Sequence, residues 1–159
     1  MNLFPHQKRL LSIPWEPDEA EHMLRCFTKD INEYRFSDNL VNPESLYKFN
    51  GWVHDLKFKI SKTVNYPQNY LPIAKGEIEK VKSGSVVIIS YDLFPATKSM
   101  IIFSLILTFF IVIIFGLIRQ NIWIALFSIL VFLVHYFVAL GNFNMHVKDC
   151  HRILYDIWE

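Results

Sequence analysis

The chain has 159 residues, 52% hydrophobic and 16% aromatic, with a net charge of +1, which leaves room for one modest soluble core beside an apolar segment but not for two. A charge so close to zero excludes a whole-protein electrostatic field as the basis of function. The only cysteines, Cys26 and Cys150, exclude a disulfide framework and fit a cytosolic setting.

Met1 to Pro14 lacks an apolar h-region and a small-residue cleavage site, so no signal peptide is expected. Lys8-Arg9-Leu10-Leu11-Ser12-Ile13 predicts a short strand closed by Pro14. Glu16-Pro17-Asp18-Glu19 then predicts a helix start, because proline suits the first turn and acids suit the positive end of the helix dipole. Ala20, Met23, Leu24, Phe27 and Ile31 recur at helical spacing, which predicts an amphipathic helix over 17–33 with Cys26 as a small core residue. Asp18, Glu19 and Glu21 read as a solvated helix start. Ser37-Asp38-Asn39 and Asn42-Pro43 mark a loop over 34–45.

From Leu46 the period changes to two. Strands are predicted over 47–53 and 56–61, with His54-Asp55 as the turn and Leu56, Phe58 and Ile60 facing the core. The prolines between Asn65 and Pro72 interrupt pairing. Ile73 to Val81 is a further strand, Lys82-Ser83-Gly84-Ser85 a hairpin turn, and Val86 to Tyr91 a strand.

Met100 to Leu140 is two apolar runs split by Arg119-Gln120-Asn121, and Arg119 is the one Asp, Glu, Lys or Arg between Ser99 and Met145. Each run is close to the ~20 residues a helix needs to cross a bilayer, and in lipid a helix satisfies its own backbone groups. A transmembrane hairpin of spans near 100–118 and 122–140 follows. Val147, Cys150, Leu154 and Trp158 predict a short amphipathic helix after it. The expected division is a cytosolic α+β domain over 1–98, the hairpin over 99–141 and a closing cytosolic helix over 142–159. The expected fold class is an α+β membrane protein whose antiparallel sheet has about four strands. Lys82, Lys98, Lys148 and Arg152 flank the outer ends of the spans against Arg119 in the turn. Both termini are therefore expected in the cytoplasm, at a bacterial inner membrane.

Phe49-x-Gly51, Phe58-x-Ile60 and Asn69-Tyr70-Leu71-Pro72-x-x-x-Gly76, followed by two spans, resemble the pattern of a group of small bacterial membrane proteins. The resemblance covers most of the chain from Leu10 onward and implies architecture without an activity. The group favours Tyr-Arg where this chain has Tyr66-Pro67-Gln68, so an anion-binding role for that arginine does not carry over. A small sensor domain on a bare hairpin is also similar to the membrane effectors of antiphage systems, in architecture alone.

Two constellations merit chemical roles. Ser104, Thr108, Val112 and Gly116 recur every fourth residue in the first span, and Ala125, Ser128, Phe132, His135 and Ala139 follow helical spacing in the second. Such small or polar stripes pack helices together, within a hairpin or between copies; a path for ions is the sharper alternative. His135 is ionisable within a span and so a candidate for function, or a member of the interfacial aromatic belt beside Tyr136. The other constellation is basic. From Lys48 to Lys82 seven lysines stand against Asp55, Glu77 and Glu79, whereas Pro14 to Tyr47 carries eight acids. Lys57 and Lys59 share one strand face, with Lys62 nearby and Trp52 and Tyr47 as stacking surface. Together they suit a nucleotide or short oligonucleotide through phosphate attraction and base stacking, or they form a solvated face near anionic lipid. His146 and Cys150 are one helical turn apart, with Asp149 or His22 as further ligands, but no second pair has metal-site spacing. Neither a Gly-rich phosphate loop nor a catalytic constellation is recognisable. The chain is therefore expected to be a cofactor-free, non-enzymatic, homo-oligomeric membrane effector or channel gated by an anionic ligand. The alternative is a membrane-resident binding protein, such as a toxin-immunity protein or accessory subunit with a protein partner.

Overall fold

A computed structural model of the protein describes residues 4–31, 46–65, 68 and 70–159. The expected loop over 34–45, and Tyr66, Pro67 and Asn69 of the motif segment, lie outside the described residues.

Strand β1 (His6–Ile13) leads to helix α1 (Pro17–Cys26). Pro17 occupies the first turn, and the Glu16 backbone N–H donates to the Glu19 carboxylate at 3.4 Å, the reciprocal half of a capping box. The expected helix to residue 33 is too long. The Thr28 hydroxyl donates to the Leu24 carbonyl at 2.7 Å, occupying a carbonyl of the last turn. Thr28–Asp30 then forms β2, parallel to the later strand β3 (Phe49–His54). Cys26, expected in the core, is exposed because the core stripe of α1 runs through Pro17, Ala20 and Leu24.

β3 continues into β4 (Lys57–Lys62), then β5 (Pro72–Val81) and β6 (Gly84–Leu93). The sheet therefore has six strands in the order β1-β6-β5-β4-β3-β2, antiparallel except for the β2/β3 pair. The expected number was lower because β2 carries a helical apolar pattern and because only register puts β1 beside β6. The β3/β4 turn also shifts by one residue. Asp55 (φ 51°) and Leu56 (φ 59°) are its two left-handed residues, the geometry that matches strand twist in a two-residue hairpin. Leu56 thus leaves the strand face assigned to it and packs at the rim of the core. Glu21 holds this turn, accepting from the Leu56 N–H at 2.8 Å while pairing with Arg25. It is consequently more than a solvated helix-start acid.

One sheet face is covered by α1 and by the far end of α3 (Ile122–Trp158). Leu24, Phe49, Phe58, Ile60, Val87, Ile89, Phe143, Val147, Leu154 and Trp158 form the core between them. Phe58 shows how tightly the register is specified. Gly76 lies opposite it, and a Cβ at Gly76 would sit 2.1 Å from the Phe58 Cζ. A smaller cluster of Val64, Leu71, Ile73 and Phe94 closes one end of the opposite face.

β6 passes through Phe94 into α2 (Pro95–Ile111), which continues as a π-helix over Val112–Ile118. The turn at 119–121 has Gln120 at φ 54°, and the Asn121 side chain caps α3 by accepting from the Ile124 N–H at 3.4 Å. The segments 95–118 and 122–158 are both long and apolar enough to cross a membrane. Their large apolar side chains are exposed, Phe103 at 67% and Phe127 at 65%. The expected separate closing helix is instead the second half of α3. The helix runs unbroken through Gly141 for 37 residues, ~55 Å at 1.5 Å per residue. Two indoles fasten its far end: Trp158 Nε1 donates to the Ala20 carbonyl at 3.1 Å, and Trp15 Nε1 donates to the Trp158 carbonyl at 2.8 Å.

Candidate functional site

Among the described residues no helix covers the second sheet face. β4 alternates, so Phe58 and Ile60 point to the core while Lys57 and Lys59 point to this open face. Antiparallel register sets Trp52 opposite Lys59, Lys59 opposite Lys75, and Lys57 opposite Glu77. Together with Ile88, these residues line a shallow depression of about 360 Å³. Trp52 is 39% exposed, leaving its ring available for stacking.

Lys62 does not join them. It lies an odd number of residues from Lys57 and Lys59, so its side chain is on the helix-covered face, with Nζ 3.4 Å from Asp149 Oδ2 of α3. The period-two pattern alone carried that information. Lys75 was missed as a site residue because its membership depends on the β4/β5 register, which no local pattern encodes.

Lys57 is paired with Glu77 at 3.6 Å, both more than half exposed, a geometry worth little in stability. Lys75 has a more consequential partner. Its Nζ is 3.4 Å from Asp92 Oδ2, while Asp92 Oδ1 lies 3.0 Å from His6 Nδ1 and 3.8 Å from Lys98 Nζ. Burial alone would raise the Asp92 pKa. The His6 hydrogen bond and the charges of Lys98 and Lys75 together outweigh burial and hold the carboxyl below its ordinary value. Asp92 therefore ties β1, β5 and the first turn of α2 to the end of β6.

The hairpin stripes meet at the seam between the two helices. Ser104, Thr108 and Gly116 are half-buried among exposed neighbours, as are Ser128 and His135, while Ala125 and Ala139 are buried. A Cβ at Gly116 would lie 3.4 Å from the Ala125 Cβ, so the helices touch there. The Ser128 hydroxyl donates to the Ala125 carbonyl of its own helix at 2.8 Å, rather than across the seam. The His135 ring packs edge-on to Tyr70, with centroids 6.3 Å apart at 64°, and its Nε2 is buried with no hydrogen-bond partner among the described residues. Tyr70 is itself buried at φ 68° and belongs to the core that reaches Ile101 and Ala139. Tyr70, two residues before β5, thus packs on the hairpin at His135.

His146 and Cys150 face the sheet and are buried. Burial pushes the Cys150 thiol up to about 12, with Lys62 lowering and Asp149 raising it to lesser extents. Burial, and then Lys62, lowers the His146 pKa. A thiol held in that state is a poor nucleophile and metal ligand. Among the described residues no group of three His, Cys, Asp or Glu side chains is placed to hold a metal ion. Comparison with family models, curated proteins and solved structures finds no match to the chain.

Proposed function

We propose that the protein is a small homo-oligomeric membrane effector whose hairpin crosses a bacterial inner membrane, with both termini in the cytoplasm. An anionic ligand of the nucleotide or short-oligonucleotide class binds the open sheet face, its base on Trp52 and its phosphates on Lys57, Lys59 and Lys75. Binding changes how the hairpins associate and perturbs or opens the bilayer, a role suited to antiphage defence. The protein is not an enzyme in this reading.

The observation that carries the proposal is the double position of Lys75. It lines the open face, and it is also one of the cations on Asp92, which holds Lys98 at the start of α2. A phosphate that draws Lys75 away changes the charge around Asp92 and with it the hold of Asp92 on Lys98. The ligand then has different interaction energies with the tied and released states, as any gating ligand must. The hairpin seam serves helix packing within each copy, and ion flow requires several hairpins to surround a path.

The test is reconstitution in liposomes with a panel of nucleotides and short oligonucleotides. Ligand-dependent ion flux is expected, together with a homo-oligomer in detergent. Lys59→Glu combined with Lys75→Glu is expected to abolish the response while membrane insertion persists. A strictly monomeric protein without flux under any ligand overturns the reading. A second reading, a membrane-resident protein that binds a protein partner, is favoured by the Lys57–Glu77 pair, since mixed charge suits a protein surface better than a phosphate. It predicts stable co-purification with one partner.

A further inference from the structure

We infer that the sheet domain stands on the membrane surface through a lipid-contacting rim, with Leu46-Tyr47-Lys48 at one corner and Phe4 with Lys98 at the other. The inference rests on the hairpin being inserted and goes beyond it by assigning a second contact with the bilayer.

Register places Phe49, Lys62, Pro72 and Leu93 at the same end of the sheet, since Phe49 pairs with Lys62 and Pro72 with Leu93. That end leads through Phe94 into α2. The chain before Phe49 continues past it in the direction of the hairpin. The Lys48 N–H donates to the Phe27 carbonyl at 2.9 Å, the Thr63 N–H donates to the Lys48 carbonyl at 3.0 Å, and the Thr63 hydroxyl also reaches the Tyr47 carbonyl at 3.2 Å. The ladder is therefore extended by Lys48, and Tyr47 is pinned just beyond it.

Leu46, itself at a bend, lies three residues beyond Phe49 on the side of the sheet from which Leu93 leads into α2. On that side Leu46 is 81% exposed, Tyr47 is 43% exposed, and Lys48 is also exposed. An apolar residue, an aromatic residue and a lysine in sequence suit the layered headgroup region, where amphipathic rings and snorkelling lysines reside. The opposite corner pairs a half-buried aromatic with a lysine that also holds Asp92. Phe4 precedes β1 at the same end, and Lys98 Nζ lies 5.7 Å from its ring centroid. The occupant is the headgroup layer of the leaflet that the hairpin enters, and the lysines favour anionic lipid in it.

The test uses the full chain carrying Cys26→Ser, in which the remaining thiol, Cys150, is fully buried. Single nitroxide labels are placed by Leu46→Cys, by Leu10→Cys on the open face (69% exposed) and by Phe127→Cys in the second span (65% exposed). The protein is reconstituted in phosphatidylethanolamine–phosphatidylglycerol vesicles, and collisions of each label with oxygen and with a water-soluble nickel chelate are compared. The expected order of oxygen-to-nickel accessibility is Phe127, then Leu46, then Leu10, with the Leu46 label at headgroup depth. A Leu46 label indistinguishable from the Leu10 label, while Phe127 reports lipid, overturns the rim and leaves the hairpin standing. A Phe127 label as water-accessible as Leu10 overturns both.

Discussion

Phe58 and Gly76 show what single residues contribute to this fold. The ring of Phe58 occupies the space that a side chain at position 76 would need, so the pair sets the β4/β5 register as well as filling the core. Gly76→Ala is expected to lower stability by ~1–3 kcal/mol, the usual cost of overpacking, seen as a lower melting temperature in detergent. Phe58→Leu in the same chain should recover part of that loss, so the two changes should be less than additive. Both residues stood out in the sequence as motif positions, but the reason for the glycine did not, because their contact spans two strands. Glu21 makes a similar point. It looked like one acid among several, yet it holds the N–H of Leu56 in a left-handed turn. Glu21→Ala is expected to cost about 1–3 kcal/mol through an orphaned, partly buried amide and a lost charge-assisted bond, measurable in the same melts.

At the scale of elements, the legible parts were those with strong local periodicity. The alternation of β4, the two apolar runs and the apolar stripe of the last sixteen residues all form the predicted kind of element. What local pattern could not supply was continuity and pairing. The expected boundary between the hairpin and a closing helix falls at 141/142, yet α3 passes through it, and the apolar stripe after it docks on the sheet. The open face was half legible: Lys57, Lys59 and Trp52 share it, Lys62 does not, and Lys75 enters only through register. The continuity of α3 yields a clean prediction. A Cβ at Gly141 would meet nothing within 4 Å, and glycine within a helix is ~1 kcal/mol less favourable than alanine. Gly141→Ala should therefore raise the melting temperature without altering contacts. Gly141→Pro should instead cost about 3 kcal/mol or more by removing a helical hydrogen bond and kinking the rod. If α3 transmits movement between hairpin and sheet, the proline variant should also lose ligand-dependent flux that the alanine variant retains.

At the scale of the whole molecule, the polar contacts among the described residues at the junction of β6 and α2 converge on Asp92. β6 and α2 are continuous there, β1 contributes His6, β5 contributes Lys75, and α2 itself contributes Lys98. The arrangement has a defined pH dependence. Because the folded carboxyl titrates below its ordinary value, its contribution to stability is fully present above the unfolded range near pH 4 and is lost as pH falls through the lowered value. Asp92→Asn keeps the shape but removes the charge that Lys75 and Lys98 share and that His6 hydrogen-bonds. It is expected to lower stability at neutral pH by ~1–3 kcal/mol, the range for hydrogen bonds to a charged group, and to flatten the acid limb of a stability-versus-pH curve below about pH 5. The same variant separates a structural tie from a gating tie. Loosening of Lys98 without ligand should give flux that no longer depends on nucleotide, so constitutive flux at a melting temperature still well above that of the assay supports Asp92 as the latch. Loss of stability accompanied by unchanged ligand dependence would assign it to structure alone.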